Sequence, residues 1–581
     1  MDRGPVACKS NMNFKYLSNQ NPQGGLRGAG PCDILAEVKN SETGGNPMKK
    51  VVLSFTLALL TGASLLAGCA TQTQEPERNR QDEVVISISS EPDTLDPCQG
   101  WGHGTTPLVQ STLVEYDYDM QFVNDLATGY TLSSDGLTWT FTLRDDAKFT
   151  DGQPVTAQDV AFTFRTAKTS QSSLDLTFLE EATAVDSTTV VFTLSKPTSS
   201  FLNTVATVGI VPEHAYGPDY GTNPVGSGPY QFVQWNKQEQ LILEANDDYY
   251  GKTPAIRKVT IVFQDEDAAL AAVRAGQVDI ALTAATLATT QVPGYTVKAV
   301  TSVDNRGLTL PVEPDTGKTT ESGQPIGNNV TCNLEIRQAM AYAIDRQQVA
   351  AAALNGFGSP CYSENDGMPW NNPEVALETD VEYAKKLLAD GGWADTDGDG
   401  IVEKDGLKAE FTCLYGSGDS VRQAVAMATA EQHRSIGIQM HVEGTSWDDI
   451  SKRMFSNAVL MGWGAANPYE SYCLYHSSYA LRDDYYNPEG YVSSVTDGYL
   501  EAAMEALDTE TAYQNWKLAQ WDGATGTSMK GQCPWVWIVN VQHVYYVRDG
   551  LDIGPQQLHP HGASMPLLKN LRDWTWNSSN S

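Results

Sequence analysis

The chain contains 581 residues, more than one hydrophobic core normally supports, so we expect at least two lobes. Hydrophobic residues make up 41% of it and charged residues 19%, which is typical of globular proteins and excludes disorder over the whole chain. Its 71 acidic and 38 basic residues give a formal net charge of −33, which repels nucleic-acid phosphates and excludes nucleic acid as an expected partner.

A short apolar segment follows two lysines near the start of the sequence. Met-Lys-Lys stands at 48–50, residues 51–66 are mostly apolar, and Leu-Ala-Gly-Cys stands at 66–69. The apolar run is shorter than the ~20 residues that a membrane-spanning helix needs. The segment resembles a bacterial lipoprotein signal peptide. This resemblance implies removal of residues 48–68, acylation of Cys69 and attachment to the outer face of a bacterial membrane.

The residues on either side of this signal are interpreted from its position. Signal peptides stand at the start of a translated chain, so we interpret residues 1–47 as an upstream extension that is absent from the mature protein. Met48 is then the initiator, with Met1 as the alternative. Residues 69–82 are mostly polar and predict a lipidated tether.

The mature chain retains cysteines whose state the sequence leaves open. An oxidising compartment permits disulfides, and no Cys-x-x-Cys spacing indicates a metal or redox site. Disulfides and buried thiols therefore remain alternatives for Cys98, Cys332, Cys361, Cys413, Cys473 and Cys533.

Strand and helix patterns alternate along the mature chain, which predicts mixed α/β lobes. Apolar residues alternate at 138–143 and at 259–263, as expected for half-buried strands. After the second of these strands, Asp267 can cap a helix that Gly276 ends, and residues 278–282 predict the next strand. The order strand, helix, strand is typical of an α/β protein.

Two further stretches, 335–346 and 421–432, carry apolar residues at helical spacing and predict amphipathic helices. No Pro- or Ser-rich linker interrupts residues 83–576. We therefore expect the lobes to be joined by strands that cross between them more than once, which favours a hinge.

Seven motifs follow one another in a fixed order between residues 91 and 346. They are Glu-Pro-Asp-Thr-Leu-Asp-Pro at 91–97, Ser-Asp-Gly-Leu-Thr-Trp-Thr-Phe-Thr-Leu-Arg at 134–144, Phe-Thr-Asp-Gly-Gln-Pro-Val-Thr-Ala-Gln-Asp-Val at 149–160, Val-Gly-Ser-Gly-Pro-Tyr at 225–230, the segment 246–251, Ala-Gly-Gln-Val-Asp at 275–279, and Ile-Arg-Gln-Ala-Met-Ala-Tyr-Ala-Ile-Asp-Arg at 336–346. With these motifs the chain resembles the extracytoplasmic solute-binding proteins of family 5, which serve ABC importers of peptides, nickel and related solutes. The resemblance covers nearly all of 83–576.

The resemblance implies an α/β, two-lobed fold like that of periplasmic binding proteins, with an inserted subdomain in the first lobe and a hinge between the lobes. By analogy, lobe I comprises 83–304 and 511–576, with the subdomain at 97–224, and lobe II comprises 305–510. The family closes around its ligand by hinge bending, and the closed form is recognised by the permease.

The resemblance also places the ligand-binding segment. Trp463, Gly464, Ala465, Ala466 and Asn467 match the aromatic and glycine segment that lines the family's cleft. A tryptophan offers a flat apolar wall, and glycine lets the backbone approach a ligand closely. Peptide-binding relatives often carry an acidic residue just after this tryptophan, and the chain departs from that pattern.

A metal-binding alternative rests on histidines. His476 lies within the reach at which nickel-chelate relatives place a histidine ligand beyond the matching tryptophan. The arginine that those relatives place ahead of the segment matching 211–214 is missing here. His559 and His561, separated by one proline, also offer a metal pair, with two solvated side chains as the alternative.

An acidic turn at 395–400 imitates the start of an EF-hand calcium loop. The twelfth position is Gly406 instead of the bidentate glutamate, so we expect a surface loop between a helix and a strand. No Walker loop, His-Glu-x-x-His or nucleophile elbow is present, and catalysis has no visible residues.

The resulting hypothesis is a monomeric, lipid-anchored binding protein of an ABC importer, with no cofactor. It captures oligopeptides or dipeptides and delivers them to a permease and its ATPase. Nickel or another metal chelate is the alternative ligand, and an extracellular enzyme is a distant alternative.

Overall fold

A computed structural model describes residues 82–89, 91–99, 107–170, 174–562 and 565–577. The predicted extension at 1–47, the signal peptide at 48–68 and the lipidation site at Cys69 lie outside these residues. Within the described ranges, no helix combines the length and the apolar composition needed to cross a membrane.

Strands of the described chain are short and alternate with helices, as predicted. In chain order they are β1 (Glu83–Ile88), β2 (Val114–Tyr116), β3 (Phe122–Asn124), β4 (Ala127–Leu132), β5 (Thr138–Leu143), β6 (Leu179–Ala184), β7 (Thr189–Leu194), β8 (Tyr230–Asn236), β9 (Gln240–Ala245), β10 (Lys258–Phe263), β11 (Ile280–Thr283), β12 (Tyr295–Val300), β13 (Asn305–Thr309), β14 (Gly358–Pro360), β15 (Glu403–Lys404), β16 (Leu407–Lys408), β17 (Glu410–Gly416), β18 (Gln439–Thr445), β19 (Ala458–Met461), β20 (Trp535–Val541), β21 (His543–Arg548), β22 (Leu551–Asp552) and β23 (Thr575–Trp576).

Helices are numbered in the same way. The α-helices are α1 (Ala157–Thr169), α2 (Phe201–Val205), α3 (Glu266–Arg274), α4 (Leu334–Ala343), α5 (Arg346–Leu354), α6 (Val381–Asp390), α7 (Ser420–Arg434), α8 (Trp447–Arg453), α9 (Tyr469–Tyr475), α10 (Ser494–Met504) and α11 (Thr509–Gln520). Short 3₁₀ helices occupy Glu213–Ala215, Tyr220–Thr222, Pro373–Val375, Ser477–Tyr479 and Pro566–Asp573.

Two mixed sheets form the framework of the protein. The first has seven strands in the order β12-β21-β11-β1-β10-β9-β8, with β1 parallel to both of its neighbours. The second has six strands in the order β14-β20-β13-β19-β17-β18. We refer to the parts of the chain built on these sheets as the first lobe and the second lobe.

A separate four-stranded antiparallel sheet, β4-β5-β7-β6, lies wholly within the range predicted as the inserted subdomain. Strand β5 has the predicted bounds, and its alternate residues Trp139, Phe141 and Leu143 are all buried. The alternation in the sequence therefore identified the side of this strand that faces the core.

The main chain passes between the two lobe sheets after β12 and again after β20. The two crossing segments are hydrogen-bonded to each other, because Ser302 Oγ donates to the Val541 carbonyl at 2.5 Å and Val541 N donates to the Asp304 carbonyl at 2.7 Å. The division into lobes stays a prediction, but strand pairing places the second crossing between Val541 and His543, later than the predicted boundary at 511. Strand β20 pairs with β13 and β14, which holds it in the second lobe.

Three predicted helix bounds differ from the structure. The N-cap of α3 lies two residues before the predicted one, because Asp265 and not Asp267 accepts the Ala268 N–H, at 2.8 Å. The helix predicted at 335–346 ends at Ala343, because Asp345 caps the next helix, α5, through Gln348 N. The helix predicted at 421–432 extends to Ser420–Arg434, since Asp419 supplies its N-cap.

Five of the mature cysteines carry free thiols, and the thiol alternative therefore holds for them. They are Cys98, Cys332, Cys361, Cys413 and Cys533. All except Cys332 are buried.

Candidate functional site

The segment predicted to bind ligand forms a loop between β19 and α9, which we call the site loop (residues 462–468). Its two glycines are required by close packing against the first crossing segment. A Cβ atom at Gly462 would collide with the Asn305 carbonyl oxygen, and one at Gly464 with the Val303 carbonyl oxygen. Gly464 also has a φ of 135°, which disfavours other residues. The site loop is therefore held directly against the hinge.

Trp463 is fixed in the site loop at three points. Its ring stacks on Tyr486 with a centroid distance of 4.7 Å, and its backbone exchanges hydrogen bonds with Asn305. Only 5% of the residue is exposed. Its indole Nε1 has no hydrogen-bond partner among the described residues. The side chain thus offers an unused donor at a rigidly held position.

The other half of the site loop contacts Tyr116 on β2 and Asn203 on α2, which the sequence assigns to the subdomain inserted in the first lobe. The Ala466 carbonyl accepts hydrogen bonds from Tyr116 Oη at 2.7 Å and from Asn203 Nδ2 at 3.4 Å. Asn203 Nδ2 also donates to Tyr116 Oη, at 2.7 Å. We call these three groups the interlobe latch. Asn467 has a local role, because its Oδ1 accepts from Tyr469 N at the start of α9.

A glutamate that the sequence reasoning missed lies beneath the site loop. Glu470 Oε1 accepts the backbone N–H groups of Gly464 and Ala465, both at 3.0 Å. Burial raises the pKa of Glu470 to about 8, although these two hydrogen bonds act in the opposite direction. An acidic group is therefore present near the site loop, three residues beyond Asn467. Its position in the first turn of α9 was the available signal.

Two buried arginines were also missed from the sequence: Arg306 lies beside the site loop, and Arg422 lies within electrostatic range of Arg306. A Cβ atom at Gly462 would approach Arg306 Nη1 within 2.7 Å, so this guanidinium lies against the loop. Arg306 pairs with Asp304, and Arg422 pairs with Asp419. The Nε atoms of both arginines are buried and have no partner in the described chain.

The two guanidinium groups are near enough to affect each other. Burial, and next the charge of Arg306, lower the pKa of Arg422. Burial raises the pKa of Asp419, but Arg422 and Arg306 outweigh this effect and keep it low. Arginine is suited to bind carboxylates because its N–H groups form a planar fork. The pair can therefore bind an anionic group of a ligand.

A cluster of polar side chains occupies the hinge. Asp304 pairs with Arg306 and lies 3.3 Å from His543 Nε2 and 2.5 Å from His561 Nδ1. Burial alone would raise the pKa of Asp304, but Arg306 and the two histidines hold it well below its usual value. His543 Nδ1 in turn lies 3.0 Å from His559 Nδ1. The expected alternative of solvated histidines at 559 and 561 is wrong for His559, which is 1% exposed.

His476, the metal candidate, has protein partners at both ring nitrogens. Nδ1 lies 2.8 Å from Ser478 Oγ, and Nε2 lies 3.3 Å from Glu501 Oε1. The ring stacks on Tyr472 at a centroid distance of 4.4 Å. These contacts describe a packed, hydrogen-bonded histidine.

The acidic turn is a surface loop between α6 and β15, as predicted. Asp395, Asp397 and Glu403 form the one group of three potential metal ligands found in the described ranges. Lys408 Nζ pairs with Asp397 at 2.9 Å and also contacts Asp399. A lysine ammonium therefore already neutralises part of this charge.

Comparisons with known proteins place these features in a family. The family model for bacterial extracellular solute-binding proteins, family 5 Middle, matches residues 121–483. Protein XP55 of Streptomyces lividans is 33% identical over 517 residues, which span 85% of this chain and 90% of XP55. The oligopeptide-binding protein AppA of Bacillus subtilis is 28% identical over 456 residues, spanning 74% of this chain and 82% of AppA.

Solved structures share the fold. NikZ from Campylobacter jejuni in complex with Ni(L-His) matches with a TM-score of 0.69 at 22% identity, covering 85% of this chain and 99% of NikZ. The predicted α/β, two-lobed fold of a periplasmic binding protein is thereby confirmed. With the match to 121–483, the chain belongs to the bacterial extracellular solute-binding proteins of family 5.

Proposed function

We propose that the protein is the substrate-binding lipoprotein of an ABC importer, which captures oligopeptides or dipeptides between its lobes and delivers them to the permease and its ATPase. A relative named as an oligopeptide-binding protein supports the peptide ligand. Membership of a solute-binding family supports transport instead of catalysis. The proposal includes a monomer anchored through Cys69 and no cofactor.

The observation that carries this proposal is the set of unused donors on Trp463 of the site loop, on Arg306 beside it, and on Arg422 within electrostatic range of Arg306. Arg306 Nε, Arg422 Nε and Trp463 Nε1 are buried and lack partners in the described chain. A buried donor without an acceptor costs free energy, so such groups are expected where a ligand supplies the acceptor. A peptide carboxylate and its carbonyl groups are acceptors of the required kind.

Glu470 supports the same ligand class, because its carboxylate can pair with the positively charged amino terminus of a peptide. With its pKa near 8 it is largely neutral at pH 7 while the site is empty. A peptide ammonium nearby would favour the carboxylate and lower that pKa. Peptide binding would then release a proton from Glu470. In this role Glu470, on α9, would replace the acidic residue that peptide-binding relatives often carry at the positions of Ala465, Ala466 and Asn467.

A metal chelate is the second candidate, because NikZ is described in complex with Ni(L-His). The carboxylate of such a chelate could also bind the two arginines. The contacts of His476 with Ser478 and Glu501 favour the peptide, since a metal would have to displace a partner from the histidine.

Native mass spectrometry of residues 70–581, purified from the host with and without a chelator, separates these candidates. A heterogeneous set of peptide masses that survives chelation would establish a peptide carrier. A single metal-containing adduct that is lost on chelation would establish the chelate reading and overturn the peptide ligand.

Calorimetry with synthetic peptides tests the arginines. We expect trialanine to bind more tightly than trialanine amide, because amidation removes the carboxylate. Arg422→Gln should abolish this difference, whereas Arg434→Gln, an exposed position on the same helix, should retain it. Equal affinity of both peptides for the unsubstituted protein would exclude a carboxylate subsite.

Membrane fractionation tests the anchor. Cys69→Ser should release the protein from membranes, because the acyl chains supply the attachment. Continued attachment would point to a retained signal helix.

A further inference from the structure

A cavity lies between the lobes, next to the site loop. Its volume is about 240 Å³. One wall belongs to the first lobe and includes Trp139 and Asn203, and the other belongs to the second lobe and includes Pro468 and Trp516. The cavity exists only while these walls face each other, so anything bound in it contacts both lobes.

Hydrogen bonds between the two walls fix the cavity. The interlobe latch joins Asn203 to the site loop, and Pro468, which follows Asn467, lines the cavity. On the same first-lobe wall, Ser199 N donates to the Met504 carbonyl and Ser199 Oγ to the Ala503 carbonyl, each at 2.7 Å. The cavity is thus bounded by specific contacts instead of loose packing.

The lining combines aromatic surface with unused donors. Phe122, Tyr130 and Tyr513 line the cavity with the two tryptophans. Trp139 and Trp516 are 6% and 1% exposed, and the indole Nε1 atoms of both lack partners in the described chain. A buried indole N–H usually finds an acceptor, and here the protein supplies none to either of the two.

The volume indicates the size of an occupant. A cavity of about 150 Å³ is enough to hold a benzene molecule, so 240 Å³ accommodates a substituted single ring. Aromatic walls favour a planar ring, and the two N–H groups favour an oxygen acceptor on or beside it.

We propose that this cavity is a binding site for a planar aromatic group that carries a hydrogen-bond acceptor, such as a hydroxyphenyl ring, and that its occupation favours the closed arrangement of the lobes. A ligand in contact with both walls binds the closed form more tightly and shifts the population toward it. The ring can belong to a side chain of a peptide in the cleft, which rests on the proposed function, or to a separate small molecule.

Calorimetry with three probes tests the proposal. Trialanine lacks the ring, Ala-Tyr-Ala carries it on a peptide, and N-acetyltyrosine amide carries it without charged termini. We expect Ala-Tyr-Ala to bind at least tenfold more tightly than trialanine if the peptide supplies the ring. Saturable binding of N-acetyltyrosine amide would show that a small molecule with the ring binds the cavity without a peptide.

Variants test whether the gain in affinity from the ring arises in the cavity. Thr509→Trp places a large side chain at an exposed lining position, and Trp139→Phe combined with Trp516→Phe removes both N–H groups while leaving a smaller aromatic ring at each position. Either change should reduce the gain from the ring by about tenfold. Glu510→Trp, at the exposed neighbouring position outside the lining, is the matched control and should leave the gain intact.

Each outcome has one meaning. If trialanine binds but the tyrosine peptide gains nothing and the amide does not bind, the cavity proposal is overturned and the peptide function stands. If no peptide binds but the amide binds and Thr509→Trp blocks it, the cavity stands and the peptide function fails. If Thr509→Trp leaves the gain in affinity from the ring unchanged, the cavity proposal is also overturned. Because Thr509 is exposed, this variant should fold even if the double tryptophan variant does not.

Discussion

Buried polar groups are arranged differently at the hinge and beside the site loop. At the hinge, Asp304 has partners in Arg306, His543 and His561. Trp463 in the site loop keeps a buried donor that no described residue satisfies, and so do Arg306 and Arg422, although each arginine pairs with a carboxylate through Nη1. We infer two uses of buried polarity from this difference: a group with complete partners, such as Asp304, holds the fold, and a donor with a missing partner can bind a ligand.

The largest effect is expected at the hinge. Asp304→Ala leaves Arg306 buried without its partner, and removing one member of a buried ion pair typically costs about 3–5 kcal/mol. Denaturant unfolding measures the loss. Asp390→Ala breaks the exposed pair with Lys386 and should leave the unfolding free energy nearly unchanged. Similar losses in both variants would remove the distinction between the hinge and an ordinary surface pair.

His433 could break the comparison, because its Nδ1 is buried and unpartnered in the described chain, while its Nε2 lies 3.3 Å from the carbonyl oxygen of Met340 on α4. Burial lowers its pKa to about 4. As pH falls below 6.5 the unfolded histidine binds a proton that the folded one does not, so stability decreases toward acid.

We expect this histidine to contribute about 2 kcal/mol to the fall in unfolding free energy between pH 7 and pH 5. Denaturant unfolding at the two pH values should show that His433→Gln removes this contribution while ligand affinity at pH 7 is retained. A lower affinity of His433→Gln at pH 7 would instead show that His433 contributes to ligand binding.

Trp463→Phe sharpens the comparison at the site loop. A phenyl ring can still stack on Tyr486, while the unused N–H and the five-membered part of the indole are lost. Peptide affinity should fall about tenfold, or about 1.4 kcal/mol, while the smaller ring lowers the unfolding free energy by about 1 kcal/mol at this buried position. Calorimetry and denaturant unfolding measure the two quantities. A large loss of stability with unchanged affinity would make Trp463 a core residue.

The smallest expected effect concerns the interlobe latch. Tyr116→Phe removes a hydrogen bond to the Ala466 carbonyl that forms across the lobes, which is worth about 1 kcal/mol. Ligand affinity should therefore fall about fivefold through a smaller closed population. Tyr118→Phe, at a residue that is 44% exposed, is the control. Small-angle scattering should show a more open ligand-free ensemble for Tyr116→Phe only.

Local patterns in the sequence predicted much of the framework. The alternation of apolar residues predicted the bounds of β5, and apolar residues at helical spacing predicted α4 and α7 with small errors at the helix ends. Those errors arose because several Asp residues near a helix start can each serve as a cap, and only the folded backbone selects one. Asp265 was selected over Asp267 in this way.

The candidate site was predicted only in part. The glycine and tryptophan pattern located the site loop, but Arg306, Arg422 and Glu470 were missed because they look like surface charges in the sequence. They stand on β13, α7 and α9, which are distant along the chain, so their burial depends on the tertiary fold and not on local sequence. The lobe boundary at 511 stays a prediction, while pairing with β13 holds β20 in the second sheet, because strand pairing and not local composition decides which sheet a strand joins.

The interlobe latch has a consequence for how the protein can diversify. Tyr116 and Asn203 recognise a main-chain carbonyl at position 466, an atom that every amino acid possesses. Substitutions of the Ala466 side chain can therefore leave the latch intact, because the atom that Tyr116 and Asn203 contact does not change. The site loop can vary in sequence at this position while the contact to Tyr116 and Asn203 is kept.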